Sequence, residues 1–434
     1  MKATFIAILA CCCITFASLP ANGNPQQPSN LISTWNEAVL ALAEKEDGFL
    51  TLKGLRAATM MHVAIHDALA SINGQYAPYV YDKHADDADP IVAATLAAFT
   101  VANDQFPADQ DQLSTLRDQW LSSVADGPAK KAGIVVGKES AAAILRDRTD
   151  DGWDTTAKYS WHPMGPGVYA EFSEHSGTPQ GFVFGAGWAK ADGFALDTAD
   201  QFRAPPPPAI DSDAYTQAFN EVIDVGRFQS MKRTPDQTHL ALWWKDFAEN
   251  SHNRLARDLV AQEDPGLVES ARLFALVNMG IFDAYVSVFE NKFFYNHWRP
   301  YTAIRWAAND GNPSTFPEAS WTNTHQHTYA FPSYPSAHGA ACAAAQSAFT
   351  EVFGESYSFT MRTEQVDIAG PFSGKIQMLP ATRSFNSFSD AAMECAISRV
   401  YLGIHFRYDS IAGFDLGQQV GRNVIATRLT RRPQ

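Results

Sequence analysis

Residues 332–349 read PSYPSAHGAACAAAQSAF, and this stretch shows both the helical character of the chain and its clearest functional feature. Pro332 and Pro335 stop any preceding helix, whereas the alanine-rich run from Ser336 onward favours a new helix despite Gly339. Ser336 is therefore a natural N-cap residue. The free N–H groups of such a first turn, together with the positive end of the helix dipole, form a binding site for an anion.

Cationic side chains occur on both sides of this stretch. Lys292 and Arg299 are seven residues apart, which on one continuous helix would place both on the same face, with Pro300 breaking the helix near that point. Arg399 adds a third cation suited to oxyanions. The residues around the first pair are apolar, and burying like charges there is costly unless an anion lies between them. The sequence therefore predicts a buried oxyanion pocket.

Two histidines are expected to act in this pocket. His338 lies in the first turn of the new helix, where its imidazole could donate a proton to an oxygen of the anion. His405 and Asp409 are one helical turn apart, so the carboxylate can hold one ring nitrogen and leave the other directed into the pocket, as in a nucleophile or a metal ligand. Asp283, nine residues before Lys292, is expected near the same helix face and paired with a site cation.

Composition and periodicity define the general class of the protein. The chain has 434 residues, 46% of them hydrophobic, which suits a globular protein with a large core. Helical periodicity dominates and strand-like alternation is scarce, so we predict an all-α protein with one domain over residues 22–434 and a site-bearing core over 271–425. The net charge of -14 argues against a nucleic-acid partner. Long connections at 153–184 and 204–208 are expected on the surface, where such loops often cover a site.

The N-terminal segment is typical of a secretory signal peptide. Residues 1–21 contain one basic residue, then an apolar stretch and small residues, so we expect an exported, periplasmic or extracellular protein. Cys342 and Cys395 remain after cleavage and could form a disulfide or stay as buried free thiols. The most apolar later window, Leu273–Phe289, contains an aspartate and is predicted to be a buried core helix rather than a membrane span.

Other histidine groups have the spacing of metal ligands but lack partners. His62 and His66 stand at positions i and i+4 of an apolar helix, and since no third ligand is evident they are predicted to serve helix packing. His325 and His327 precede the second motif and are predicted to lie in a loop or at the rim of the pocket.

The ordered set of motifs resembles the signature shared by vanadium-dependent haloperoxidases and the soluble acid phosphatases of the type 2 phosphatidic-acid phosphatase superfamily. The matching residues are Lys292, Arg299, Pro300, Pro335, Ser336, His338, Ser398, Arg399, His405 and Asp409. Ala337 stands where the family usually has glycine, and because this position contributes a backbone N–H, alanine can keep the donor if its φ is negative. Residues 56–68 extend the resemblance upstream and favour the haloperoxidase branch, because small acid phosphatases lack so long an N-terminal region.

The resemblance implies a large helical domain built around four-helix-bundle cores, with vanadate as the cofactor and His405 as its axial ligand. His338 would act as acid–base, and Phe331 matches an aromatic residue of chloroperoxidase-like members. The residues implied to hold the vanadate oxygens are Lys292, Arg299, Ser336, Ala337 and Arg399.

The activity implied is oxidation of iodide, bromide or chloride by hydrogen peroxide, with an organic acceptor and a homodimer both compatible with the family. The alternative is a soluble acid phosphatase, in which His405 attacks phosphorus to form a phosphohistidine and His338 protonates the leaving alcohol. A non-catalytic oxyanion-binding protein is a third hypothesis.

Overall fold

The computed structural model describes residues 28–371 and 373–433, so the predicted signal peptide lies outside the described residues. This part of the chain is mostly helical. Its fourteen α-helices are α1 (Ser29–Asp47), α2 (Lys53–Asn73), α3 (Pro90–Gln105), α4 (Gln110–Ser122), α5 (Pro128–Asp147), α6 (Ser173–Ser176), α7 (Asp213–Val225), α8 (Pro235–Trp243), α9 (Ala248–Glu263), α10 (Leu267–Tyr295), α11 (Pro300–Trp306), α12 (Ala337–Phe353), α13 (Phe388–Tyr401) and α14 (Arg407–Thr427).

Two small antiparallel sheets interrupt the helices between α12 and α13. Strand β1 (Phe359–Arg362) pairs with β4 (Thr382–Phe385), and β2 (Gln365–Asp367) pairs with β3 (Lys375–Gln377). In both pairs the first residue of the earlier strand lies opposite the last residue of the later one. Strands of three or four residues are too short to give a period of two in the sequence, and sequence analysis did not identify them.

The helices form two bundles that share one core. Helices α2, α3 and α5 pack together, with α4 against α3, and α10, α12, α13 and α14 form the second bundle. Helix α10 also packs on α2, so a single hydrophobic cluster extends from Leu31 to Leu429. The all-α prediction with helical bundles is confirmed, whereas the prediction of one domain stays a prediction.

A row of glycines brings α14 unusually close to α12. Gly413, Gly417 and Gly421 recur every four residues and therefore share one face of α14. A Cβ atom at Gly417 would lie 2.1 Å from the carbonyl oxygen of Ala340, and one at Gly413 would lie 2.3 Å from that of Ser336. Because no side chain separates the two helices, the start of α14 lies directly beside the start of α12.

Helix α10 is the central helix of the second bundle. It is the one described helix that is long and apolar enough to cross a membrane by length and composition, and 94% of its apolar window is buried inside the protein. A buried core helix passes the same test, as the sequence predicted for Leu273–Phe289.

A disulfide joins two helices of the second bundle. Cys342 of α12 and Cys395 of α13 are bonded, with Cα atoms 6.6 Å apart and a separation of 53 positions in the sequence. The structure thus selects the disulfide from the two alternatives that the sequence left open. The bond connects the helix that carries His338 to the helix that carries Arg399.

Candidate active site

Several helix ends meet at one buried point in the second bundle. Lys292 lies in the last turn of α10, Arg299 is the N-cap of α11, and Ser336 is the N-cap of α12. Arg399 lies in the last turn of α13, and His405 precedes α14 by two residues. All five residues are buried. The tertiary structure therefore brings together side chains that are up to 113 positions apart in the sequence.

The prediction of one continuous helix through Lys292 and Arg299 is wrong. Helix α10 ends at Tyr295, Asn296 adopts a left-handed conformation with φ 50°, and Arg299 is extended with ψ 155°. Pro300 explains the extended conformation, because its ring disfavours a helical residue before it. The two cations nevertheless share one neighbour, since the Phe331 ring lies 5.2 Å from the ammonium nitrogen and 4.6 Å from the guanidinium carbon.

Lys292 uses all three of its N–H donors on one loop. Its ammonium group donates to the carbonyl oxygens of Pro332 at 3.1 Å, Ser333 at 2.6 Å and Pro335 at 2.5 Å. Burial and the neighbouring guanidinium of Arg299 lower its pKa well below the usual value. Lys292 therefore fixes the loop that leads into α12 and brings a positive charge to the site.

The two arginines are each fixed on one side and keep a free donor on the other. Arg299 donates to the carbonyl oxygens of Phe331 at 2.9 Å and Ile404 at 3.0 Å, and its Nη2 is buried without a partner among the described residues. Arg399 donates to the carbonyl oxygen of Trp244 at 2.9 Å, and its buried Nε likewise has no partner in the part of the chain that the structure describes. Burial is the largest cause that lowers both arginine pKa values to about 10.

These three cations have no carboxylate partner among the residues that the structure describes. The nearest acid, Asp409, has its ion-pair contact with His405 instead. An uncompensated buried charge is expensive, and three of them close together are more so. The Nη2 of Arg299 and the Nε of Arg399, both without a partner in the described chain, are suitable donors for a multiply charged oxyanion, and the buried Nε2 of His338 becomes a donor once the ring is protonated. The residues present therefore fit vanadate or phosphate.

The predicted contact between His405 and Asp409 is present, although His405 precedes α14. The carboxylate accepts from Nδ1 of the ring at 3.0 Å, from the Phe406 N–H at 3.1 Å and from the Ser333 hydroxyl. Nε2 of His405 accepts from Nη1 of Arg299 at 3.1 Å, so the proton is assigned to Nδ1. Burial raises the pKa of Asp409, and the Ser333 hydroxyl and the ammonium charge oppose this rise. The lone pair of Nε2 thus faces the cations.

Sequence analysis missed Ser333, although it belongs to the same proline-rich stretch. Besides its bond to Asp409, its hydroxyl lies 3.2 Å from Nδ1 of His405. Ser333 lies between two prolines, where its hydroxyl has no helix to cap. A hydroxyl that is free for a tertiary contact was the signal in the sequence that could have identified it.

The start of α12 has the expected capping geometry. The Ser336 hydroxyl accepts from the Gly339 N–H at 3.3 Å, which confirms the predicted N-cap. Ala337 is the first helical residue, so its φ is negative and its N–H has no acceptor within the helix. Alanine therefore keeps the donor that glycine usually supplies. Burial and the charge of Arg399 lower the pKa of His338, the next residue, well below its usual value.

Asp283 does not pair with a site cation, and this prediction is wrong. Its carboxylate accepts the backbone N–H groups of Phe194 at 2.6 Å, Ala195 at 2.7 Å and Leu196 at 3.2 Å. Nine residues correspond to two and a half helical turns, so Asp283 lies on the opposite face of α10 from Lys292. Burial raises its pKa to about 6.

A cavity of about 330 Å³ opens above the pocket. His338, Arg399 and His405 line its floor, and residues 176–188 of the long surface connection line one side. Nine of the lining residues are phenylalanine, tryptophan or tyrosine, namely Phe49, Phe182, Phe184, Trp188, Phe247, Tyr285, Phe289, Tyr329 and Phe331.

Two charged residues of this cavity escaped sequence analysis. Burial lowers the pKa of Lys245 to about 8 and raises that of Glu249 to about 7. They stand four residues apart, directly after the Trp243–Trp244 pair. Charged residues within so aromatic a segment were the signal that could have identified them.

His62 and His327 lie where the sequence predicted, in helix packing and at the pocket rim. Nε2 of His62 lies 2.9 Å from the Asn36 amide nitrogen, and its ring stacks on Phe274 with centroids 5.0 Å apart. His327 lines the cavity rim. Within residues 28–371 and 373–433, the one group with metal-ligand spacing consists of His338 and two cysteines, which are oxidised to a disulfide and offer no thiolate.

Comparison with known proteins agrees with this geometry. Residues 272–431 match the family model described as the VCPO second helical-bundle domain. Over 93% of its length, the chain is 25% identical to the vanadium chloroperoxidase of Curvularia inaequalis and covers 83% of that protein.

Solved structures show the same fold. A crystal structure described as the first bacterial vanadium-dependent iodoperoxidase matches 93% of this chain and 97% of its own, with 24% identity and a TM-score of 0.76. An apo-type bacterial vanadium-dependent chloroperoxidase matches 86% of this chain and 93% of its own, with 17% identity and a TM-score of 0.63. The second bundle thus resembles the second helical-bundle domain of the chloroperoxidase family model, and the chain as a whole is similar to a vanadium chloroperoxidase and shares the fold of bacterial vanadium-dependent haloperoxidases.

Proposed function

We propose that this protein oxidises a halide with hydrogen peroxide, using vanadate bound at the cationic pocket. One observation carries the proposal: three buried cations without a carboxylate partner in the described chain lie around His405, whose Nε2 accepts from Arg299. A chain that binds no oxyanion has no reason to bear this cost. The named activities of the relatives, chloroperoxidase and iodoperoxidase, agree with this chemistry.

Each residue of the pocket has a distinct task in the proposal. Arg299 and Arg399 would donate their free N–H groups to the oxyanion, and the Ala337 N–H would add a backbone donor. Lys292 contributes charge, since its own donors fix the loop before α12. The Ser336 hydroxyl, now bonded to the Gly339 N–H, keeps its own proton for an anion oxygen.

The two histidines would have different roles because their ring nitrogens have different partners. Asp409 keeps the proton of His405 on Nδ1, so Nε2 can serve as the vanadium ligand. His338 is neutral without a ligand, and a bound anion would raise its pKa and let it take up and return a proton. Vanadate, when bound, would activate hydrogen peroxide for oxygen transfer to the halide without a change in oxidation state.

The decisive experiment compares two activities of the purified protein. We expect oxidation of iodide, and of bromide, by hydrogen peroxide that depends on added vanadate, and we expect His405→Ala to abolish it. A matched control is His62→Ala, which removes an equally buried histidine of the first bundle. The control should retain vanadate-dependent oxidation as long as it folds, as judged by circular dichroism.

Hydrolysis of an aryl phosphate without vanadate tests the alternative. Robust phosphatase turnover without halide oxidation would contradict the peroxidase proposal and favour the phosphohistidine route. Tight vanadate binding by the His405→Ala protein, measured by calorimetry, would contradict the proposed ligation.

We also propose that the chain is exported. The apolar segment before Ala21 supports this, and the disulfide between Cys342 and Cys395 suits an oxidising compartment. Expression with the full N-terminus, followed by fractionation and mass measurement, should give a chain that begins near residues 22–24 outside the cytoplasm. An uncleaved cytoplasmic product would contradict the proposal.

A further inference from the structure

The cavity above the pocket is larger than the proposed reagents require. A water molecule occupies roughly 30 Å³ in the liquid, and hydrogen peroxide and halides are of similar scale. The cavity measures about 330 Å³, which lies within the range of sites for small organic ligands. It therefore has room for a molecule of one or two rings beside the oxyanion pocket.

A continuous wall of aromatic rings leads from the far part of this cavity to the cations. Tyr285 lies 5.8 Å from Trp188, Trp188 lies 4.5 Å from Phe289, and Phe289 lies 5.2 Å from Phe331, measured between ring centroids. Phe331 in turn contacts the guanidinium of Arg299 at 4.6 Å. Such spacings suit a flat ring that packs against the wall by offset or edge contacts.

Glu249 lies at the other end of this wall. It is 4% exposed and lines the cavity, and one of its oxygens, Oε2, accepts the Tyr285 hydroxyl at 2.9 Å. It is the second residue of α9, where free N–H groups and the helix dipole favour a negative charge. Lys245, four residues earlier in the connection between α8 and α9, forms no ion pair with Glu249 in the described chain, and its ammonium group donates to the Asp367 carbonyl oxygen. A carboxylate accepts several hydrogen bonds, so Glu249 keeps capacity for another donor.

The charges around the cavity select an uncharged ligand. Lys245 and Arg399 disfavour a cation, and Glu249 disfavours an anion. A neutral ring with one O–H or N–H donor avoids both repulsions, because the donor pairs with the buried carboxylate while the ring covers apolar surface.

We propose that this cavity binds a neutral aromatic acceptor that carries an O–H or N–H group, with that group donating to Glu249 and the ring against the Trp188–Phe331 wall. The step after binding rests on the proposed function: the bound ring would be halogenated beside the pocket in which the halide is oxidised. Binding itself requires neither vanadate nor peroxide.

Calorimetry with 2-naphthol, in the absence of vanadate and peroxide and at about pH 8, tests the binding directly. We expect saturable binding of 2-naphthol and about tenfold weaker binding of 2-methoxynaphthalene, which has the same rings without the donor. Glu249→Gln should weaken 2-naphthol binding about tenfold and leave the methoxy compound unchanged. Trp188→Leu should weaken binding of both compounds, which keeps the test informative if the first variant fails to fold.

Glu139→Gln is the matched control. Glu139 also accepts a tyrosine hydroxyl, that of Tyr81 at 2.9 Å, but it lies on α5 outside the cavity. This variant should bind both compounds like the unmodified protein.

Equal affinity for 2-naphthol and its methoxy ether, or no binding of either, would overturn the inference. Vanadate-dependent iodide oxidation would persist in that case, and free hypohalous acid would then react with acceptors in solution. Donor-dependent binding without any halide oxidation would instead support the site and contradict the proposed function, so the two failures are distinguishable.

Discussion

The two helical bundles bury positive charge in opposite ways. In the first bundle, Arg56 and Arg148 both contact one carboxylate oxygen of Asp151, at 2.7 and 2.8 Å. In the second bundle, Lys292, Arg299 and Arg399 converge without any ion pair to a described carboxylate. Both sets are almost fully buried.

This difference separates a structural charge cluster from the proposed binding site. Where the chain supplies its own counter-charge, the cluster fixes a loop, as the bonds of Arg148 to Gly193 and Asp192 show. Where it does not, the folded protein leaves a position that only an anion from solution can neutralise. The contrast yields five predictions, given from the largest expected effect to the smallest.

Removing the counter-charge of the first bundle should give the largest loss of stability. Asp151→Asn leaves two buried guanidinium groups without their carboxylate, and breaking such a pair costs about 3–5 kcal/mol. Urea unfolding followed by circular dichroism measures the change in the free energy of unfolding. A loss below about 1 kcal/mol would show that this cluster is not a charge-compensated structural element.

Removing a cation from the second bundle should affect binding more than folding. Arg399→Leu eliminates the free Nε and one charge, so we expect a loss of about 10²–10³-fold in vanadate-dependent halide oxidation. Urea unfolding should show little loss of stability, because one of three mutually repelling charges is gone. If the variant instead unfolds readily and retains its activity, the second-bundle cations serve stability rather than anion binding, and the proposed difference between the bundles is wrong.

An oxyanion should stabilise the protein through the second bundle. At a vanadate concentration one hundred times its Kd, the free energy of unfolding should rise by about 2.7 kcal/mol. Thermal unfolding monitored with and without vanadate measures this, and the Arg399→Leu protein at the same concentration is the control. A similar rise in that control would place the stabilising anion elsewhere.

The carboxyl group of Glu249, which has no cation partner in the described part of the chain, should show the reverse pH dependence of a paired acid. Burial raises its folded pKa from 4.5 to about 7, so its destabilising effect appears as pH rises from 4.5 to 7 and is complete above that. Glu249→Gln should therefore be more stable than the parent at pH 8, by about 2–3 kcal/mol relative to the difference at pH 4.5. A constant difference across this range would contradict the pKa.

Glycine contacts in the two bundles provide the smallest and most closely matched comparison. A Cβ at Gly137 would lie 2.3 Å from the Ala93 carbonyl oxygen, and one at Gly417 would lie 2.1 Å from that of Ala340. Replacing either glycine with alanine should cost about 1–3 kcal/mol of stability through overpacking. Vanadate affinity should fall for Gly417→Ala alone, since α14 positions His405, and equal affinities in calorimetry would contradict that role.

The sequence predicted the residues of the pocket better than it predicted their geometry. Ser336 as a helix cap and the contact of His405 with Asp409 follow from local rules, because both partners lie within four positions of each other. The single helix through Lys292 and Arg299 failed because the left-handed Asn296 ends α10 first. The prediction that Asp283 pairs with a site cation failed because half a turn of helix places a residue on the opposite face.

Features that depend on distant segments were not accessible from the sequence. Glu249 and Tyr285 are 36 positions apart, and Arg56 and Asp151 are 95 positions apart. No local periodicity links such pairs, so their spacing alone carries no signal. Whether Cys342 and Cys395 form a disulfide or stay as free thiols was also not accessible from the sequence, because the bond requires α12 and α13 to be adjacent.

By itself the sequence determined the helical class, the cap of α12 and the set of cations and histidines for an oxyanion, since these follow from periodicity and short motifs. The tertiary structure decided which buried charges receive a carboxylate and which are left for a ligand, and it placed an aromatic cavity with Glu249 beside the pocket. The reason is physical: propensity and capping act over a few residues, whereas charge compensation and cavity shape depend on helices that meet only after the chain has folded.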